Sequence, residues 1–86
     1  MEALLESGEG LLVPERMIVA PSVGVFRPVE LDDGASVRAG QTVGMVDGPG
    51  TSTPVASPFA GRLVGMLAHP GERLREGQPV AWLRVH

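Results

Sequence analysis

The sequence repeats itself without a gap at an offset of 37 residues. Over the 27 positions from Ala20 to Val46, seven residues are identical to those 37 positions later. At ordinary residue frequencies of roughly 7%, chance gives about two identities. Two equivalent half-units predict a pseudo-two-fold domain, because each half has one apolar face and the two faces cover one another. The identical pairs are Pro21/Pro58, Gly24/Gly61, Gly34/Gly71, Arg38/Arg75, Gly40/Gly77, Gln41/Gln78 and Val43/Val80.

Short apolar runs separated by glycine or proline predict an all-β fold. No stretch of a dozen residues keeps a helical period, and every predicted turn contains Gly or Pro. The length allows one domain, which we place at 16–86 after a weakly specified N-terminal arm at 1–15. Its half-repeats span about 17–47 and 54–85. The predicted strands are 17–20, 25–31, 37–38, 42–46, 53–56, 62–68, 74–75 and 79–85.

The apolar positions of these strands predict the core. We expect inward-facing side chains at Val19, Val25 or Phe26, Val29, Leu31, Val37, Val43, Met45, Val55, Leu63, Met66, Leu74, Val80, Trp82 and Val85.

Composition excludes several classes of function. The formal net charge is −3, and no basic stripe or aromatic platform is present, so nucleic-acid binding is not expected. The apolar runs are too short for a membrane helix, and no secretory signal is recognisable. The absence of cysteine excludes a disulfide framework and fits a cytoplasmic protein. We expect no membrane partner.

No pattern predicts a catalytic residue or a metal site. His69 lies in a His-Pro-Gly turn, and two histidines without a placed carboxylate do not form a metal centre. The adjacent Asp32 and Asp33 are typical of a solvated turn, and no serine lies in a nucleophile-elbow motif. We therefore predict that the chain is not an enzyme.

A longer motif occurs once in each half. The first copy reads Asp33-Gly34-x-x-Val37-x-x-Gly40-Gln41-x-Val43, the second reads Gly71-x-x-Leu74-x-x-Gly77-Gln78-Pro79-Val80, and Pro-x-x-Gly precedes each. From Met17 to Val85 the chain resembles the biotinyl/lipoyl carrier domain, as in biotin carboxyl carrier protein. The resemblance implies a barrel-sandwich hybrid, which is a flattened barrel of two four-stranded antiparallel sheets with quasi-two-fold symmetry.

In that family the hairpin between the halves carries a lysine, whose ε-amine forms an amide with biotin or lipoate. The equivalent segment here is Asp47, Gly48, Pro49, Gly50 and Thr51, and Gly50 falls at the lysine position. All seven basic residues of the sequence are arginines, and a guanidinium is not an acylatable amine at neutral pH. We therefore expect no bound cofactor. Gly-Pro-Gly is typical of a tight turn, and the alternative is a neutral loop that docks on a partner.

The resemblance implies a non-catalytic partner of a biotin- or lipoate-dependent complex, in which it binds a carboxylase or dehydrogenase subunit. Acyl-CoA carboxylases are the first candidates. One alternative is a carrier component of such a carboxylase, which the glycine at position 50 disfavours. Another is the barrel-sandwich module of a transport adaptor, in which a long helical hairpin usually separates the half-motifs. The oligomeric state remains open.

Overall fold

The structure is a computed structural model that describes residues 14–85. Within those residues the chain forms eight β-strands. All eight predicted strands are confirmed, with ends that differ by at most three residues from the prediction. Their bounds are β1 Glu15–Val19, β2 Gly24–Pro28, β3 Ser36–Val37, β4 Thr42–Gly48, β5 Thr51–Ala56, β6 Gly61–Met66, β7 Arg73–Leu74 and β8 Pro79–Val85.

The strands form two four-stranded antiparallel sheets. Sheet A has the order β1-β8-β6-β3, and sheet B has the order β5-β4-β2-β7. A shift of 37 residues converts one order into the other strand by strand. The predicted all-β barrel-sandwich hybrid with quasi-two-fold symmetry is therefore confirmed. Because each half-repeat contributes two strands to each sheet, neither half completes a sheet alone.

The same repeat governs the turns. The Gly40 amide donates to the Ser57 carbonyl at 2.6 Å, and the equivalent Gly77 amide donates to Ala20 at 2.8 Å. Gln41 and Gln78 are repeated because their side-chain oxygens accept from the backbone amides of Arg38 and Arg75, at 2.9 and 3.0 Å. These bonds satisfy turn donors that strand pairing leaves free, so both halves need the same amide side chain.

One apolar core lies between the sheets. Of the two residues predicted for the second strand, Val25 or Phe26, the buried one is Phe26. The other predicted positions that are confirmed as buried in this core are Val37, Val43, Val55, Leu63, Leu74 and Val80. Leu31, Met66 and Val85 are partly buried against it. The other members, which are also buried, are Ile18, Ala20, Val46, Ala68, Ala81 and Leu83.

Two predicted core residues are wrong in the same way. Met45 and Trp82 are only half-buried, whereas the next residues, Val46 and Leu83, are buried. The cause is an extra residue in each strand, Val43 in β4 and Val80 in β8, where the register with the neighbouring edge strand shifts. Such a bulge reverses the inward and outward positions beyond it.

Val19 and Val29 are also wrong as core positions, and Val25 is the outward-facing member of the predicted pair Val25 or Phe26. Val19 is 47% exposed because β1 buries Ile18 and changes register immediately after it. Val25 is 38% exposed, since Phe26 takes the inward position of β2. Val29 is 41% exposed because β2 ends at Pro28 and Val29 lies in the connection that follows.

The core is not identical in its two halves. A Cβ added to Gly44 would lie 2.5 Å from Cε1 of the Phe26 ring, so this ring requires a glycine in β4. At the equivalent positions of the other half stand Leu63 and Ala81, both buried. A large ring paired with glycine thus replaces a smaller side chain paired with alanine, as close packing requires.

The hairpin between the halves and the ends of the described chain lie at opposite ends of the barrel. Val37 pairs with Gly61, which pairs with Val85, so the turn after β3 lies at the Val85 end. Strand β4 starts from that turn and runs the length of sheet B to Gly48. Pro14 accepts the Val85 amide at 2.9 Å, so both ends of the described chain meet away from the hairpin.

The proposed arm and domain boundary are described only in part. Residues 1–13 and His86 lie outside the described residues, and β1 begins at Glu15, one residue before the boundary at 16. No helix within 14–85 has the length and apolar character needed to cross a membrane.

Candidate functional site

The candidate site is the tip of the β4–β5 hairpin. Gly48 pairs with Thr51, so Pro49 and Gly50 form a two-residue turn. Gly50 has φ +70°, and proline holds φ near −65°. This combination is that of a type II turn, in which the second central residue takes a positive φ that favours glycine. Both turn residues are exposed, and nothing lies within 4 Å of a Cβ position on Gly50.

Just below the tip, Asp47 accepts three hydrogen bonds from side chains of neighbouring strands. Arg27 Nε donates to Asp47 Oδ2 at 2.9 Å, and Arg27 Nη2 donates to Oδ1 at 3.2 Å. Ser52, directly opposite Asp47 in β5, donates to Oδ1 at 2.6 Å. Arg27 Nη2 also reaches Ser52 Oγ at 3.2 Å, which closes a ring of three side chains. We call these three residues the Asp47 cluster.

The Asp47 cluster keeps its carboxylate charged. The hydrogen bond from Arg27 is the largest cause that lowers the pKa of Asp47, and the bond from Ser52 follows. The same bond raises the pKa of Arg27. A carboxylate with a lowered pKa and three donors in place is a weak general base at neutral pH. The cluster therefore ties β2, β4 and β5 together beneath the tip, and its geometry supplies no proton-transfer step.

The predicted site residues are contiguous in the structure. Asp47 and Gly48 end β4, Pro49 and Gly50 form the turn, and Thr51 begins β5. Arg27 and Ser52 were not predicted. A two-residue turn places Asp47 opposite Ser52, so the hairpin pattern alone could have identified the serine. Arg27 depends on the β2–β4 register, for which the sequence holds no local signal.

The other candidate residues do not form a second centre. Within residues 14–85 no three His, Cys, Asp or Glu side chains lie together as a metal site would require. His69 opens the turn before β7, where its amide donates to Glu72 Oε1 at 2.9 Å and its carbonyl accepts from Glu72 N at 3.0 Å. Asp32 and Asp33 are exposed in the equivalent turn of the first half.

Comparison with solved structures identifies the same architecture in larger enzymes. A single-chain, multi-domain long-chain acyl-CoA carboxylase matches with a TM-score of 0.75 and 25% identity, over 84% of this chain and 7% of the carboxylase. Urea carboxylase from Kluyveromyces lactis matches with a TM-score of 0.73 and 24% identity, over 81% of this chain and 6% of the enzyme. The fold is that of a biotinyl-carrier-like sandwich.

A third solved structure lies outside the carboxylases. Succinylglutamate desuccinylase/aspartoacylase from Rhodobacter sphaeroides matches with a TM-score of 0.63 and 27% identity, over 78% of this chain and 21% of that protein. This chain thus spans about a fifth or less of each of these proteins. No protein-family model matches the chain, and no curated protein matches it.

Proposed function

We propose that this chain is a non-catalytic, biotin carboxyl carrier-like domain that binds within a biotin- or lipoate-dependent complex, with an acyl-CoA carboxylase as the first candidate. The observation that carries the proposal is the exposed Pro49–Gly50 turn at the tip of the β4–β5 hairpin, on a fold similar to part of two carboxylases. The proposed role is assembly or docking in the cytoplasm, without a cofactor of its own.

The proposal places Gly50 where a carrier domain has its modified lysine. Gly50 is the second central residue of an exposed two-residue turn between the half-repeats. It has no side chain to acylate, and the 86 residues contain no lysine. The acidic residue before the turn is retained as Asp47, and its hydrogen bonds to Arg27 and Ser52 give it a structural role.

Restoring the carrier motif tests this assignment of position 50. The substitutions Gly48→Ala, Pro49→Met, Gly50→Lys and Thr51→Met are introduced together, and the protein is co-expressed with a biotin ligase. We expect intact mass spectrometry to show one biotinyl group on this variant and none on the wild type. The matched control has Gly50→Arg in place of Gly50→Lys and should stay unmodified, because guanidinium is not acylated.

Either of two results would contradict the assignment. Biotin or lipoate on the wild-type chain would make it a carrier. The lysine variant could also stay unmodified although it is folded and the same cells biotinylate an authentic carrier domain. That result would show that Gly50 does not occupy the position of the carrier lysine.

The partner is tested by affinity purification of the tagged chain from its native cells. We expect subunits of a carboxylase or a dehydrogenase complex, and we expect a variant with Val23→Asp and Pro49→Asp to lose them. Both residues are exposed; Pro49 is in the turn, and the Val23 carbonyl lies 3.5 Å from a Cβ position on Gly48. Recovery of an amidohydrolase instead would favour a role similar to part of the desuccinylase/aspartoacylase. Recovery of a membrane transport complex would favour the adaptor alternative. Recovery of no partner would contradict the assembly role.

A further inference from the structure

The outer face of sheet A has open space beside Trp82. Gly65 of β6 pairs with Trp82 of β8, and Met17 of β1 pairs with Trp82 on its other side. No atom lies within 4 Å of a Cβ position on Gly65, whereas Trp82 is half-buried and Met17 is exposed. This row of the sheet therefore has an apolar side chain on one side of the tryptophan and an unfilled position on the other.

An irregularity in β6 creates the unfilled position. The register between β6 and β8 shifts at Val64, which is an extra residue, and Gly65 follows it. In sheet B the equivalent of Trp82 is Met45, which pairs with Arg27 in a ladder without such a shift. The bulge thus puts a glycine where the other half of the domain has an arginine. Bulges are common next to functional sites, where they redirect side chains.

Two arginines lie one row away on the same face. Arg62 of β6 pairs with Arg84 of β8, and Arg84 is two residues from Trp82, so all three face outwards. Like charges directly opposite each other in a sheet are destabilising. The equivalent residues in sheet B are Val25 and Asp47, so the fold itself does not require a pair of arginines here.

The charge of these two arginines is only partly neutralised. Arg84 Nη2 lies 3.1 Å from Glu15 Oε2, and Arg62 Nη1 donates to the Gly34 carbonyl at 3.1 Å. Although Asp33 precedes Gly34, no carboxylate of residues 14–85 lies within 4 Å of the Arg62 guanidinium. Each guanidinium has five N–H donors, so donors remain for a second acceptor. The row has an excess of positive charge that suits a carboxylate from outside the domain.

We infer that this part of sheet A binds an acidic, extended segment of a partner protein. The residues involved, which we call the Gly65 site, are Arg62, Gly65, Trp82 and Arg84. A carboxylate of the segment bonds to the two guanidinium groups, and an apolar side chain two residues along fills the space over Gly65.

The spacing of the Gly65 site fits an extended chain. Alternate residues of such a chain lie about 6.7 Å apart on one face, which is also the separation of Trp82 and Arg84 along β8. Residues 14–85 enclose no cavity, and small molecules are usually bound in clefts or cavities. An open surface with a charged row and an apolar row therefore suits the alternate side chains of a peptide segment.

The single tryptophan makes the binding measurable, because Trp82 is the only Trp and the chain has no Tyr. The probe is the peptide acetyl-Gly-Glu-Thr-Leu-Gly-amide, whose Glu and Leu are two residues apart. We expect a saturable change in the emission of Trp82 and in the guanidinium Nε signals of Arg62 and Arg84 by nitrogen NMR. The matched peptide, acetyl-Gly-Thr-Glu-Leu-Gly-amide, has the same composition but adjacent Glu and Leu. It should bind more weakly, because its two side chains point to opposite faces.

Two variants of the full chain test the Gly65 site. Arg62→Met removes one guanidinium and should weaken binding of the first peptide about two- to five-fold, as expected for an exposed ion pair. Gly65→Leu fills the open space and should weaken binding as well. The matched control, Arg73→Met, removes an exposed arginine of sheet B and should leave binding unchanged. Far-UV circular dichroism and the urea midpoint identify any variant whose fold has changed.

Equal binding of the two peptides, or equal binding by folded Arg62→Met and Arg73→Met, would overturn the inference. So would the absence of any change in either signal at the highest soluble peptide concentration. A wild-type dimer that Gly65→Leu dissociates in sedimentation velocity would also overturn it, because the occupant would then be a second copy. These outcomes do not depend on biotinylation or on the carboxylase partner, so the Gly65 site can fail while the proposed function stands.

Discussion

At the scale of single residues, the contacts of Asp47 explain why an acidic side chain lies below the hairpin tip. Its oxygens accept from two atoms of Arg27 and from Ser52, although 38% of its side chain is exposed. An exposed ion pair contributes little to stability by itself, because water screens it and holding two long side chains costs entropy. The bonds to Asp47 matter more for position, since they hold three strands in register where the turn begins.

These contacts predict how the Asp47 carboxyl titrates. Its pKa in the folded protein should lie below the usual 3.8, and Arg27→Met should raise it towards that value. Ser52→Ala should raise it as well, since that bond is the second cause. The control is Arg73→Met, which removes an exposed arginine of the same sheet. Carboxyl carbon NMR across a pH series measures the shift, and an unchanged Asp47 titration in Arg27→Met would contradict the network.

The effect on stability follows from the direction of this shift. Because folding lowers the pKa of Asp47, the ionised carboxylate stabilises the folded state at pH values above 3.8. That contribution is lost as the pH falls through the folded-state pKa. The difference in unfolding free energy between wild type and Asp47→Asn should therefore shrink in acid.

At the scale of elements, strands β2 and β4 depend on one another through Phe26 and Gly44. Gly44→Ala would place a Cβ 2.5 Å from the Phe26 ring, and overpacking of this kind costs about 1–3 kcal/mol. Phe26→Leu added to that variant should recover much of the loss, because the other half of the domain packs Leu63 with Ala81 in the same way. The two changes should therefore be strongly non-additive.

Urea unfolding of the two single variants and the double variant measures this coupling. Gly65→Ala is the matched control, since nothing lies within 4 Å of a Cβ on Gly65 and its cost should be small. Additive costs for Gly44→Ala and Phe26→Leu would show that the ring and the glycine are independent.

The strands and their turns could be predicted because glycine and proline mark the ends of every run. Which side chains of a strand point into the core could be predicted only up to each bulge. Val43 and Val80 are extra residues whose effect depends on pairing with another strand, so alternation along the sequence places Met45 and Trp82 inside instead of Val46 and Leu83. The repeat does not reveal the error, because both halves contain the same bulge.

The candidate site shows the same limit. The hairpin turn at Pro49 and Gly50 is a local feature and was predicted. The bond from Arg27 to Asp47 joins residues 20 positions apart, through a register that neither strand encodes alone. Local chemistry is therefore visible in the sequence, whereas contacts across strands require the fold.

At the scale of the whole molecule, the two halves are equivalent in their turns and core positions but differ in the side chains on their outer faces. The backbone bonds of the turns and the positions of the core repeat in both halves. The outer faces do not: that of sheet B has the Asp47 cluster, and that of sheet A exposes Met17 and Val19. Packing constrains only the inner positions, so the side chains of the two outer faces are free to differ.

The bond from Val85 to Pro14 has a further consequence, because it is the symmetric counterpart of the pairing of Gly48 with Thr51. A circular permutant that joins Val85 to Pro14 through a Pro-Gly link, and opens between Pro49 and Gly50, keeps every strand pair. We expect it to unfold cooperatively, with sheet content like that of the original order, by circular dichroism. A permutant opened inside β8, between Ala81 and Trp82, should not fold, and equal behaviour of the two would refute the argument. The eight strands of the two sheets then have one cyclic order of connections, and the position of the chain ends decides only which of two equivalent junctions is left open.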